Sequence, residues 1–307
     1  MEKKNSLLVT MIRIAQPYLL LGGLLTYTLG LGIVHYLGDE INWTSAILGA
    51  TLVLLVLLAK NFFSAYFTYP EAIPAPNLTR EIKGEEPDYL FLKDTQRILL
   101  LEVGLVALAV GAGVTFVLIF RKAWNFSELL AIGLAVLLVL CSAIPPLRLE
   151  RHGYGELIEA LLICNVFPAM AFLIQETNVH VMLAMMTFPL TFIYLAMQIA
   201  LSLEYFAYHL KHATGSMVVM MGWQRAMSWH NLSILAAFLL LGAFILLRLP
   251  WLVAWPIFLS LPLGIIQIIQ IQKISEGAKP QWWLLHLNAV STFTVMAYLT
   301  TLTLWMH

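Results

Sequence analysis

The sequence has few charged residues and no net charge. Asp, Glu, Lys and Arg make up only 11% of its 307 residues, whereas soluble domains carry about 25%. The 17 basic and 17 acidic side chains cancel, which excludes the strongly basic surface typical of nucleic-acid-binding proteins. Hydrophobic residues account for 61% of the chain. This composition predicts a polytopic membrane protein with no nucleic-acid partner.

Cysteine is also scarce. Cys141 and Cys164 are the only two, and both fall in apolar stretches. A cysteine there is usually a small buried hydrophobe, so the pattern does not predict a disulfide. A cleaved signal peptide is not predicted either, because the first apolar stretch continues past Pro17 without a small-residue cleavage site.

Nine apolar stretches are long enough to cross a bilayer, which takes about 20 residues per helix. They cover residues 14–36, 43–68, 97–120, 126–144, 155–175, 179–203, 230–248, 251–273 and 281–306. Prolines and glycines within them are compatible with membrane helices, because neighbouring helices and water satisfy the freed carbonyls. The sequence therefore predicts an all-α transmembrane bundle that forms a single domain over residues 1–307.

The positions of the basic residues predict the orientation of this bundle. With a cytoplasmic N-terminus, only Arg121, Lys122 and Arg248 of the 17 basic residues fall on the opposite side. Basic residues concentrate on the cytoplasmic side of membrane proteins. We therefore predict an integral membrane protein whose N-terminus is cytoplasmic and whose C-terminus lies on the other side.

A polar hinge separates the fourth and fifth apolar stretches. Residues 141–159 read CSAIPPLRLERHGYGELIE, with two prolines, two arginines and two glycines in sequence. The pattern S-x-x-P-P-L-R-L followed by G-x-G-E-L resembles the loop after the fourth helix of UbiA-type membrane prenyltransferases. Nine spans, with polar loops 69–96 and 204–229 after the second and sixth, extend this resemblance over nearly the whole chain. It implies a UbiA-like bundle with a cavity on the cytoplasmic side.

The resemblance also implies a reaction. Members of this family transfer a polyprenyl group from its diphosphate to a small, often aromatic, acceptor. Two Asp-rich motifs, at the ends of helices 2 and 6, hold Mg²⁺ on the diphosphate, where the ion neutralises the charge of the leaving group. The chain is thus expected to be a prenyltransferase homologue, with Mg²⁺ as the implied cofactor and a polyprenyl diphosphate or membrane lipid as partner.

The first Asp-rich motif differs from the family pattern. Asn61 matches the family's asparagine, but Phe62, Ala65 and Tyr69 stand at the three Asp positions. None of these side chains supplies a carboxylate for Mg²⁺. The nearest acid, Glu71, comes two residues late and is a candidate metal ligand.

The second motif differs in the same way. Tyr205 and His209 stand at its two Asp positions, and Glu204 lies one residue early. His209 and His212 are three residues apart, so on a helix they share a face. They are either metal ligands, which would suit a transition metal, or interfacial histidines at the mouth of a membrane helix. Lys211 is either a cation near the head group or a solvated loop charge.

Arg148 of the hinge either binds a phosphate through its guanidinium or anchors the topology. Glu102 and Glu159, inside spans, either line a cavity or bond to neighbouring helices, with Asn165 and Gln198 as possible partners. The candidate substrate-binding residues are Asn61, Arg148, Glu204, Tyr205, His209 and Lys211.

Three functions remain open at this stage. The first is an active prenyltransferase, for which no catalytic residue is identified. The second is a catalytically inactive isoprenoid- or lipid-binding membrane protein or partner subunit, which the loss of acids at both motifs favours. The third, a small-solute transporter, lacks the paired broken helices of inverted-repeat transporters.

Overall fold

The computed structural model describes residues 7–68, 94–121, 126–176, 178–212 and 215–307. These ranges contain helices and no strand, and nine of the helical segments are long and apolar enough to span a membrane. Spans 1 to 9 are Val9–Tyr36, Trp43–Phe67, Arg97–Arg121, Phe126–Ala143, Gly155–Gln175, Val181–Glu204, Trp223–Leu247, Trp251–Ser275 and Trp282–Met306. The predicted all-α polytopic fold is confirmed.

The predicted boundaries differ most at the starts of spans 1 and 7. Span 1 begins at Val9, five residues before the predicted start at residue 14. Span 7 begins at Trp223, seven residues before the predicted start at residue 230, because polar residues such as Gln224 and Arg225 lower the hydropathy of its first two turns. Two short helices, Phe206–His212 and Met217–Met221, also lie within the stretch 204–229, which was expected to be a loop. The polar connection between spans 6 and 7 is therefore largely helical where the structure describes it.

Contacts between spans define the two ends of the bundle. Lys60, near the end of span 2, contacts Glu159, near the start of span 5. At the opposite end, the backbone N–H of Asn42, before span 2, donates to the side chain of Gln175, at the end of span 5. We call the first end the hinge end, because it carries the hinge at residues 141–159. Its assignment to the cytoplasmic side stays a prediction.

Spans 5 and 6 lie deepest in the bundle, whereas spans 3, 7 and 8 are the most exposed. Phe167 and Phe172 of span 5 and Tyr194 of span 6 are almost completely buried. Phe120 of span 3 and Leu246 of span 7 are exposed, as expected for apolar faces that contact lipid. Spans 5 and 6 therefore pack largely against other helices.

Span 1 bends at its hinge end. Gln16 has a left-handed φ of 49°, and Pro17 begins the next helical segment. Proline has no backbone N–H and cannot continue the preceding helix. The side chain of Asn61 donates to the carbonyl of Ala15 at 3.0 Å, so span 2 supports the bend.

Candidate functional site at the hinge end

A buried lysine joins spans 2 and 5. Lys60 is only 6% exposed, and its Nζ lies 2.7 Å from Oε2 of Glu159 and 3.3 Å from Oε1 of Glu150. A charged side chain inside a membrane helix is costly unless it is paired. The end of span 2 thus carries a cation, held by two carboxylates, one residue before Asn61.

Span 6 completes the hydrogen bonding of Glu159. Its Oε1 accepts a bond from the hydroxyl of Tyr194 at 2.5 Å and another from the amide of Gln198. The same amide donates to the Tyr194 oxygen at 2.9 Å. Lys60, Glu150, Glu159, Tyr194 and Gln198 form one cluster between spans 2, 5 and 6, which we call the Lys60 network.

Only one of the two residues suggested as hydrogen-bond partners of Glu159 bonds to it. Gln198 bonds to Glu159, as the sequence suggested. Asn165 instead donates to the hydroxyl of Thr191 at 2.6 Å. Depth in the membrane did not distinguish the two amides, because it does not specify the helix face on which each lies.

Span 5 changes its helical geometry just after Glu159. Residues Leu162–Val166 form a π-helical turn between the α-helical segments Gly155–Leu161 and Phe167–Gln175. Such turns are rare and frequently occur at functional sites. Pro168, which follows, lacks the N–H that would bond to the carbonyl four residues earlier. The turn rotates the face that carries Glu159 relative to the rest of span 5.

Tyr18 of span 1 lies beside the network. It is close enough to interact electrostatically with both Glu159 and Lys60, yet it is 67% exposed. Its hydroxyl makes a long contact of 3.4 Å with Oε1 of Gln16. Neither Tyr18 nor the pairing of Lys60 with Glu159 was identified from the sequence. The pair could have been predicted, because the two residues carry opposite charges at similar depths in their spans.

Two candidates from the sequence, Asn61 and Arg148, meet the ends of other segments. Asn61 is 4% exposed, and its Oδ1 has no hydrogen-bond partner among the described residues. Arg148 donates to the carbonyl of Phe67, and its Cζ lies 5.8 Å from the centroid of that ring. Arg148 therefore ties the hinge to the end of span 2. A substrate-binding role for either residue stays a prediction.

The candidates near the second motif surround a break in the helix. Span 6 ends at Glu204, Tyr205 interrupts it, and a short helix follows. Oε2 of Glu204 lies 3.5 Å from Nε2 of His286, in span 9. The rings of Tyr205 and His209 pack edge to face at 6.4 Å, and Lys211 is exposed. Their substrate-binding roles stay predictions.

A divalent-metal site does not fit the part of the chain described here. Among these residues, no group of three His, Cys, Asp or Glu side chains is arranged to hold a metal. Glu150 and Glu159 are paired with Lys60, and Glu204 lies against His286. The candidate ligand Glu71 and the side chain of His212 lie outside the described residues.

The hinge docks onto the segment that follows the second motif. Glu156 accepts a bond from the hydroxyl of Ser216 at 3.0 Å and from the backbone N–H of Met217 at 3.2 Å. A Cβ on Gly215 would lie 2.0 Å from the carbonyl oxygen of Arg151. Gly153 has a φ of +83° and also faces Ser216. The G-x-G-E pattern thus joins two connections at the hinge end.

Replacing Glu156 with alanine is expected to loosen this joint. The helix Met217–Met221 loses its carboxylate cap, an effect of about 1–2 kcal/mol. We expect faster proteolytic cleavage within residues 204–222 and a lower Tm in detergent. Glu276→Ala, an exposed change after span 8, is the control. Equal cleavage rates in the two variants would show that the bonds of Glu156 to Ser216 and Met217 do not hold this connection in place.

Comparison with known proteins identifies the fold. No protein-family model and no curated protein matches the chain. A UbiA homologue from Archaeoglobus fulgidus bound to GPP and Mg²⁺ superposes with a TM-score of 0.65 at 14% identity, covering 95% of this chain and 99% of that chain. The apo UbiA homologue from Aeropyrum pernix K1 gives 0.53 at 12% identity, covering 94% and 95%. The chain therefore has the fold of the UbiA homologues.

Proposed function

We propose that this membrane protein binds an isoprenoid lipid within its UbiA-like bundle and holds the polar head group at the hinge end. The Lys60 network carries this proposal. Ionisable groups buried in membrane spans are costly and tend to mark ligand or ion sites, and this set joins three spans beside a π-helical turn. The Archaeoglobus fulgidus homologue, bound to GPP and Mg²⁺, supports a prenyl ligand.

The candidates from the sequence would surround the same end of the bundle. Asn61 is one residue from Lys60, and Arg148 is two residues from Glu150. Glu204 ends span 6, six residues beyond Gln198. Tyr205 follows Glu204 directly, and His209 and Lys211 lie in the next short helix, Phe206–His212. In this proposal they line the mouth through which the head group is reached.

Prenyl transfer is the second candidate function, and the likeness to a homologue holding GPP and Mg²⁺ favours it. Transfer would break the bond between the prenyl carbon and the diphosphate oxygen, form a bond to a small acceptor and release the acceptor's proton. The described carboxylates nearest the two motifs and the hinge, however, already have partners: Glu150 and Glu159 contact Lys60, Glu204 contacts His286, and Glu156 accepts from the Ser216 hydroxyl and the Met217 N–H. We therefore propose isoprenoid binding as the first candidate function and prenyl transfer as the second.

The test uses the full chain in lipid nanodiscs. Binding of radiolabelled geraniol and geranyl diphosphate is measured with and without Mg²⁺, with n-decanol as the control for non-specific partitioning. We expect saturable binding of at least one prenyl compound. If neither binds better than n-decanol, the proposal is wrong. Mg²⁺-dependent release of diphosphate in the presence of small aromatic acceptors would establish the second candidate.

A further inference from the structure

We infer that the Lys60 network recognises an uncharged, hydrogen-bonding head group, the hydroxyl of a prenyl alcohol, and that it does so without a metal ion. This inference rests on the proposed function and names the class of ligand at the same site. Three observations carry it: the charge of the network, the hydrogen bonds that it leaves open, and its accessibility.

The charge of the network disfavours a diphosphate. When Lys60, Glu150 and Glu159 are all ionised, these three contacting groups carry a net charge of −1. A diphosphate would add at least two negative charges beside them, and charge repulsion is strong away from bulk water. A hydroxyl adds no charge and avoids this repulsion.

The guanidinium of Arg148 contacts a group outside the Lys60 network. Arg148 bonds to the carbonyl of Phe67, seven residues beyond Lys60 on span 2. At a rise of 1.5 Å per residue, this places the two positions about 10 Å apart along the helix. A phosphate held by Arg148 would therefore lie toward the end of span 2, beyond Lys60.

The network leaves hydrogen bonds open that suit an alcohol. An ammonium group has three donors, and the described contacts of Lys60 use two, toward Glu150 and Glu159. The third is available to an oxygen acceptor. Glu150 is held by a single described side-chain contact, at 3.3 Å, so its carboxylate accepts a further bond. A hydroxyl supplies one acceptor and one donor and satisfies both groups at once.

The network is also reachable from one side. Side-chain exposure rises from 7% at Lys60 to 12% at Glu159 and 25% at Glu150. Tyr18, whose hydroxyl can both donate and accept, is 67% exposed and lies within electrostatic range of the charged pair. In this proposal a head group approaches from the side of Glu150, the most exposed member of the network, and bonds to the third N–H of Lys60. An apolar prenyl chain would extend from there along the membrane spans.

The inference is tested by competition between two ligands with the same prenyl chain. Radiolabelled geraniol is bound to the full chain in nanodiscs and displaced by geranyl diphosphate, in Mg²⁺ and in EDTA. We expect the Kd of geraniol to be equal in both buffers and geranyl diphosphate to bind at least about tenfold more weakly. Tighter binding of geranyl diphosphate, or its tightening by Mg²⁺, overturns the inference while leaving the proposed function standing. Absence of binding by both ligands overturns both.

Paired substitutions assign the binding to the network. Lys60→Met combined with Glu159→Gln removes one charge of each sign and is expected to weaken geraniol binding about tenfold, the loss of one charge-assisted hydrogen bond. Lys273→Met combined with Glu276→Gln, an exposed pair of the same charges at the end of span 8, is the matched control. Unchanged affinity in the folded Lys60 variant overturns the inference.

A milder variant keeps the test decisive if the double variant does not fold. Tyr18→Phe removes only a hydroxyl from an exposed ring and leaves the Lys60–Glu159 pair intact. It is expected to raise the Kd of geraniol by about threefold without changing Tm, which is the effect of one lost neutral hydrogen bond. Geraniol affinity equal to that of the parent protein would contradict a head group held between Tyr18 and Lys60.

Discussion

Lys60→Met is expected to destabilise the protein by about 3–5 kcal/mol, because removal of one partner leaves buried carboxylates without compensation. Glu159 loses a contact of 2.7 Å and Glu150 one of 3.3 Å. The measurement is the Tm of the purified protein in detergent, together with the fraction of membrane-inserted protein that survives extraction. Methionine retains the length of the lysine stem, so the change removes charge more than volume.

The double variant Lys60→Met with Glu159→Gln separates charge from packing. The neutral glutamine keeps an oxygen that accepts from Tyr194 and Gln198, and only the more exposed carboxylate of Glu150 is left without its cation. We expect it to recover at least half of the lost stability, since partners in one ion pair are not additive. A double variant as unstable as Lys60→Met alone would show that the ion pair is not the source of the effect.

Gly30→Ala is expected to destabilise the packing of span 1 against span 5 by about 2–3 kcal/mol, as overpacked sites do. The added Cβ would lie 2.2 Å from the carbonyl oxygen of Pro168 and 2.7 Å from Cβ of Ala171. Close approach of membrane helices depends on such small residues. The expected result is a clear drop in Tm, because the nearest atom belongs to the backbone and cannot rotate away.

Gly22→Ala is the matched control for this prediction. Gly22 lies on the same span, and a Cβ there would meet no atom within 4 Å. Alanine costs less backbone entropy than glycine in a helix, by about 0.5–1 kcal/mol, so stability should stay equal or rise. Equal losses of Tm in the two alanine variants would rule out close contact between spans 1 and 5 as the cause.

Some of the architecture was already evident from the amino-acid pattern. The positions of the nine spans follow from runs of apolar residues, since a helix must bury its backbone polar groups and present apolar side chains to lipid. The hinge motif predicted the UbiA fold, with which the structural comparisons agree. Span 7 was predicted too short because polar residues in its first turns, such as Gln224 and Arg225, lower the local hydropathy.

The candidate site was predicted less well, for a physical reason. The motif positions directed attention to Asn61 and His209, whereas the buried charge lies at Lys60. A basic residue near the end of a span reads equally well as a topological anchor. Only the contact with Glu159, 99 residues later in the chain, distinguishes a buried pair from a solvated lysine.

The sequence by itself determined the membrane class, the number of spans and the hinge, because these depend on local composition and order. Only the tertiary structure decided which polar groups meet. It placed Glu159 between Lys60 and Tyr194, and it gave Glu156 of the hinge a partner at residues 216–217. The rotation of each helix about its axis selects these partners, and that rotation is set by the packing of the whole bundle.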